Sequence, residues 1–271
     1  MVRAAAVLLM LMLAACGGSE NATAVPTQDP ILMVQTAAEN IRSADTFRID
    51  VIQSGPDYAI NTGYGNVTFR RATAQYVSPG TMQAAVRVSA AGLPVDVDVY
   101  SRGEDQWYRA IWTGGNWLHE TFAPGFDPQT LIAEDTGFQA AMSAVIGLNL
   151  VGEETLDNGA NVYHLNGTAD GAAVNALLVG LIETQGDVGV DLYIDRATGY
   201  PVRFILTETV FNGEGTPAPE PRLWIIDVTD INAPTQLEAP PESTADTQPE
   251  VTAGSTSELT AEATPETTET P

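Results

Sequence analysis

Period two dominates the hydrophobic pattern of this chain. Phe47, Ile49 and Val51 alternate with Arg48 and Asp50; Met82, Ala84, Val86 and Val88 alternate with Gln83, Ala85 and Arg87; Leu93, Val95, Val97 and Val99 alternate with Pro94, Asp96 and Asp98. Alternation of this kind sets one face on a core and the other in water, the habit of an antiparallel sheet. Further strands are predicted over 106–112, 116–120, 148–154, 162–166, 188–194, 201–211 and 222–228. Turn chemistry at Thr113-Gly114-Gly115 and at Asp195-Arg196-Ala197-Thr198-Gly199 separates several of them. The helical period interrupts three times. Asp29-Pro30 is a cap followed by proline at the first helical position, and Ile31, Val34, Ala38 and Ile41 then share one face up to Ser43. Asp127-Pro128 repeats that signal ahead of Leu131, Ile132, Phe138, Met142, Val145 and Ile146, with Gly137 as a break or kink. A third helix is predicted over 171–183, where Val174, Leu177, Leu178, Leu181 and Ile182 form a broad apolar stripe. The order predicts an α+β domain, a long meandering sheet with few helices to cover it.

Both ends depart from these rhythms. Met-Val-Arg precedes an apolar run from Ala4 to Leu13, too short to span a bilayer and of the length found in signal peptides. The run ends in Leu13-Ala14-Ala15-Cys16-Gly17, which has the spacing of a bacterial lipobox, so residues 1–16 read as a lipoprotein signal and Cys16 as the lipid-anchored residue. Residues 17–28 are small and polar, a flexible tether. Residues 234–271 are rich in Thr, Pro and Glu with few large apolar side chains, and read as a disordered acidic tail. Residues 29–233 remain as one domain.

Cys16 is the only cysteine, so the domain has no internal disulfide to rely on. All eleven basic residues are arginine and the formal net charge is -24. That sign repels phosphate backbones and anionic headgroups, which disfavours nucleic acid as a partner and leaves membrane attachment to the anchor. The two histidines, His119 and His164, lack metal-ligand spacing, and no nucleophile elbow, phosphate loop or dinucleotide fingerprint appears. No enzyme chemistry and no cofactor is therefore expected. Trp107, Tyr108, Trp112, Trp117, Phe122 and Phe126 form the densest aromatic cluster, read either as a hairpin packed on the core or as rings at a cavity mouth or bilayer interface.

The lipobox, the helix-then-meander order and the hairpin from Val190 to Arg203, with its Asp195-Arg196-Ala197-Thr198-Gly199-Tyr200-Pro201 turn, together resemble the LppX/LprG family of envelope lipoproteins, relatives of the LolA and LolB carriers. The resemblance implies a strongly curved half-barrel with helices across its concave face. It also implies an apolar cavity for the acyl chains of a lipid or lipoglycan, transported or presented in the cell envelope, with room for an export partner. The strand carrying Val95, Val97 and Val99 is expected to face the helix carrying Val174, Leu177, Leu178 and Leu181 across unfilled space. Leu131, Phe138 and Met142 are expected to complete the lining. The alternative is a surface scaffold with a filled core that binds protein or polysaccharide on its exterior.

Overall fold

The computed structural model describes residues 28–62, 65–178, 183–184 and 186–241. Among the described residues twelve strands form one antiparallel sheet in the order β7-β6-β5-β4-β3-β1-β12-β11-β10-β9-β8, with β2 (Ala59–Thr62) paired to β3. The sheet is strongly curved and unclosed, and the two ends of that order are its free edges. β1 (Thr46–Ser54) lies at its middle, between β3 (Gly65–Val77) and β12 (Arg222–Thr229). β4 (Thr81–Ala90), β5 (Leu93–Arg102), β6 (Asp105–Ala110) and β7 (Leu118–His119) extend one wing. β11 (Pro201–Glu208), β10 (Asp187–Asp195), β9 (Asn161–Asp170) and β8 (Ile146–Thr155) extend the other. The period-two residues do what their pattern requires: Phe47, Ile49 and Val51 are buried together with Phe204, Leu206, Trp224, Ile226 and Val228 on the concave face.

Among the described residues three helices cover that face. α1 (Pro30–Arg42) begins where Asp29 accepts from the Ile31 N–H at 2.9 Å, and buries Val34, Ala37, Ala38 and Ile41. The second predicted helix is divided. Asp127 caps a short 3-10 turn over Pro128–Leu131, accepting from the Gln129 N–H at 2.8 Å, and α2 (Gly137–Ser143) starts afresh. Gly137 sits at φ 58, and a Cβ there would fall on the Leu131 carbonyl oxygen, so only glycine makes this junction. The third predicted helix is described only in part, since residues 179–182 lie outside the described residues. α3 (Gly171–Val174) tightens into a 3-10 turn over Asn175–Leu178. Thr184 folds back on it, its hydroxyl donating to the Gly171 carbonyl at 3.0 Å and its N–H to Asn175 Oδ1 at 2.8 Å. Glu183 and Thr184 are themselves outside any helix.

Other strands also differ from their predicted extents. β6 stops at Ala110 because Ile111–Thr113 coil into a 3-10 turn, with the Thr113 hydroxyl donating to the Ala110 carbonyl at 2.9 Å. β11 stops at Glu208, leaving Phe211 in an isolated bridge with Pro217. β2 (Ala59–Thr62) and β3 had no counterpart in the pattern. In β3 the register shifts between Phe69 and Arg71, so Phe69 shares the concave face with Ala72, Ala74 and Tyr76 although an odd step separates it from them.

The convex face is a polar ladder. Arg109 pairs with Asp98, Thr73 donates to Asp50, Arg48 pairs with Asp50, and Arg203 pairs with Asp227. Near the far edge His164 lies between Glu154 and Asp191, one carboxylate on each ring nitrogen at 2.6 and 2.7 Å, and stacks on Tyr193. Past Ala233, where the tail was expected to begin, the chain keeps contact with this face: Glu238 pairs with Arg109 at 3.0 Å.

Candidate functional site

The wing formed by β1 to β5 is floored with small side chains. Ala72 on β3 lies opposite Val51 on one side and Val86 on the other; Ala74 lies opposite Ile49 and Ala84; Ala84 lies opposite Val99. Three neighbouring alanines leave a hollow that longer side chains would fill. The resulting cavity has a volume of about 60 Å³, room for a handful of waters by the measure in which one water needs 10–15 Å³. Its walls are apolar apart from Ser101, whose hydroxyl is spent on the Gly103 carbonyl at 3.0 Å. Ile60 of β2 and Phe69 close one end, and Met82 lies toward the other.

Phe122, Ala123 and Phe126 roof the cavity from the loop that follows β7. One residue holds that loop. Gln106 of β6 is 2% exposed, and its amide donates to the carbonyls of Ala123 and Phe126 at 2.8 and 3.2 Å while its oxygen accepts from the N–H groups of Phe122 and Ala123 at 3.0 and 2.9 Å. A glutamine at an inward position of a period-two strand is the sequence signal for such a role. Near the Ile60 end, Tyr58 stacks edge-on against Trp224, and its hydroxyl accepts from the Glu183 N–H at 2.8 Å, tying the entry to β2 to the segment after α3. Beside it Arg222 pairs with buried Glu208 at 3.0 Å and donates to the Pro56 and Asp57 carbonyls.

The expected lining residues fall in three groups. Val99 is in the cavity wall, with Val97 half-buried beside Val86 and Val95 half-buried further along the same strand. Leu131, Phe138, Met142, Val174 and Leu177 are buried in the core with the helices and are not among this cavity's walls; Phe138 meets Phe47 edge-on at 5.7 Å and Phe204 at 5.8 Å. Leu178 ends the 3-10 turn after α3, and Leu181 and Cys16 lie outside the described residues. The aromatic cluster splits by face. Tyr108, Phe122 and Phe126 pack toward the core, whereas Trp107 stacks on His119 at 4.6 Å and Trp117 meets Tyr100 on the convex side. Trp112 is 57% exposed. Among the described residues no three His, Cys, Asp or Glu side chains are grouped to hold a metal, and no helix is long and apolar enough to cross a membrane.

A curved, unclosed antiparallel sheet with a few helices across its concave face is the architecture that the sequence resemblance implied, and the model of the LppX_LprAFG lipoproteins matches residues 29–218. The chain belongs to this family. Among solved structures it is similar to LprF from Mycobacterium bovis, with a TM-score of 0.57 and 16% identity over 78% of this chain and 96% of that one. It is likewise similar to the Mycobacterium tuberculosis lipoprotein LppX, with a TM-score of 0.52 and 14% identity over 77% of this chain and 98% of that one. At such identities the likeness is one of fold. No curated protein matches the sequence. Across the LppX_LprAFG fold as this chain builds it, the helical core and the alanine-floored wing share one concave face.

Proposed function

We propose that this lipoprotein binds an acyl chain of a lipid or lipoglycan in the concave face of its sheet, and carries or presents it in the cell envelope while anchored to the membrane through Cys16. The observation that carries this reading is the apolar hollow over Ala72, Ala74 and Ala84, roofed by a loop that a single glutamine retains. Each methylene moved from water into such a site contributes about 0.8 kcal/mol, so burial alone gives useful affinity without charge. At about 60 Å³ the hollow is smaller than the several hundred Å³ of most ligand sites. An acyl chain therefore enters by displacing Phe122 and Phe126, and the unliganded state closes over a remnant. The small volume equally favours a second reading, a scaffold with an essentially filled core. Neither reading requires a catalytic residue.

Native mass spectrometry of the domain expressed without residues 1–16 separates the two. The carrier reading expects co-purified lipid, reduced in Ala84→Leu with little loss of stability because the added atoms occupy the hollow. In a filled core the same change overpacks and costs about 1–3 kcal/mol. Lipid-free wild-type protein together with a strongly destabilised Ala84→Leu would overturn the carrier reading.

A further inference from the structure

The convex face holds an arrangement that acyl binding does not use. After β12 the Asn232 N–H donates to the Thr46 carbonyl, the Thr46 hydroxyl donates to the Ala233 carbonyl at 2.7 Å, and the chain then crosses the convex face toward β4 and β6. Among the described residues, 234–241 make no backbone-to-backbone hydrogen bond with the sheet. They are held by Glu238. Its N–H donates to Gln83 Oε1 at 2.8 Å, and its two carboxylate oxygens accept from Nη1 and Nη2 of Arg109 at 3.0 Å each. Arg109 is itself fixed beforehand: its Nε donates to Asp98 at 2.8 Å, and its guanidinium lies 4.6 Å from the centre of the Trp117 ring.

These contacts have the chemistry of a receptor. A planar guanidinium held by a carboxylate on one edge and an indole on its face presents its free edge in one orientation, and that edge fits a carboxylate bidentately. Gln83 adds a second point by reading the backbone N–H of the same residue, so a glutamate in an extended segment is recognised by main chain and side chain together. Leu237 is half-buried beside it, whereas the Glu238 side chain is 63% exposed. An occupant attached by side chains alone leaves without disturbing the sheet ladder.

We propose that Arg109, Trp117 and Gln83 form a docking site on the convex face for an extended glutamate-bearing segment, and that residues 234–240 of the same chain occupy it reversibly. The site is independent of the acyl-chain reading and stands or falls separately from it.

The test uses the full chain and a fluorophore-labelled peptide of the sequence PTQLEAPPE. Glu238→Arg places a second cation at the guanidinium and expels the segment. Fluorescence anisotropy should then detect saturable, salt-weakened binding of the peptide, tighter than to the wild-type chain by about tenfold or more because the wild-type site is filled. The peptide with glutamine in place of its first glutamate should not bind, and Gln83→Ala added to Glu238→Arg should weaken binding while the circular dichroism is retained. Equal binding to wild type and Glu238→Arg, or no binding to a folded Glu238→Arg chain, overturns the proposal. Concentration-dependent dimers of the wild-type chain that Glu238→Arg abolishes would place the occupant in a second copy and overturn the assignment to the same chain.

Discussion

Gln106 and the three alanines illustrate how much rests on single side chains. Gln106 satisfies four backbone groups of the roof loop from a buried position, so removing it leaves donors and acceptors that must find water or lose their partners. With an unsatisfied buried polar group costing about 1–3 kcal/mol and part of this loop able to hydrate, Gln106→Ala should destabilise the domain by about 2–4 kcal/mol. Thermal unfolding followed by circular dichroism measures this, as a fall in Tm on the order of 5–15 °C for a domain of this size. A change below about 1 kcal/mol would mean that the loop is held by Phe122 and Phe126 alone. Ala72, Ala74 and Ala84 act in the opposite sense, by what they lack. Period-two spacing marks Ala84 as inward-facing, whereas Ala72 and Ala74 lie on β3, which the pattern did not reveal, and in any case a small inward residue reads the same whether a neighbour fills the space or not. Gly137 was legible as a break because glycine punctuates helical patterns, and the approach of the Leu131 carbonyl supplies the reason that no other residue serves.

Elements with one clean period were legible, and those shaped by a tertiary contact were not. α1 runs from its Asp29 cap to Arg42 as its apolar spacing predicts. β3 escaped notice because its bulge places Phe69 and Ala72 on the same face, which breaks the alternation that a linear reading depends on. α3 reads as a long helix because Leu177, Leu178, Leu181 and Ile182 fit its stripe, yet already at Asn175 the described turn tightens to 3-10, and Thr184 bonds back to Gly171 in the first turn, a contact that no local period announces. The segment around Glu238 is likewise a matter of remote contact, since its composition is that of a tail and its partner Arg109 is 129 residues away. Hydrogen bonding to Arg109, and then the charge of that guanidinium, hold the Glu238 carboxyl below its ordinary value of 4.5. A depressed folded value means that the attachment is complete above pH 4.5 and weakens as the pH falls through the lower, folded value. Hydrogen exchange should therefore show the Glu238 amide, bound to Gln83, protected near neutral pH relative to an open chain and deprotected on acidification before the β1 and β12 amides are. Protection that persists until global unfolding would show the segment to be part of the core structure.

At the scale of the whole molecule the proposed anchor is tested apart from the domain. If Cys16 carries the lipid and residues 17–28 act as the tether their composition suggests, Cys16→Ser should move the protein from the membrane fraction to the soluble or secreted fraction without lowering its Tm. Membrane retention of the Cys16→Ser protein after a salt wash would refute the lipobox reading. The alternation of apolar residues, the capped start of α1 and the turn at 195–199 were enough, by themselves, to determine an α+β meander, because these depend on local period and local turn chemistry; its LppX_LprAFG type came from the resemblance of the hairpin and the element order and from the family match. Which inward faces meet and which leave a hollow was decided only by the tertiary structure. Val99 borders empty space while Phe138 and Val174 are packed tight, since the fit depends on the curvature of twelve strands and on what a distant loop lays over them. Arg109 and Glu238 were just two charges in an acidic chain until the fold brought them together, because a pairing across 129 residues leaves no periodic trace in either segment.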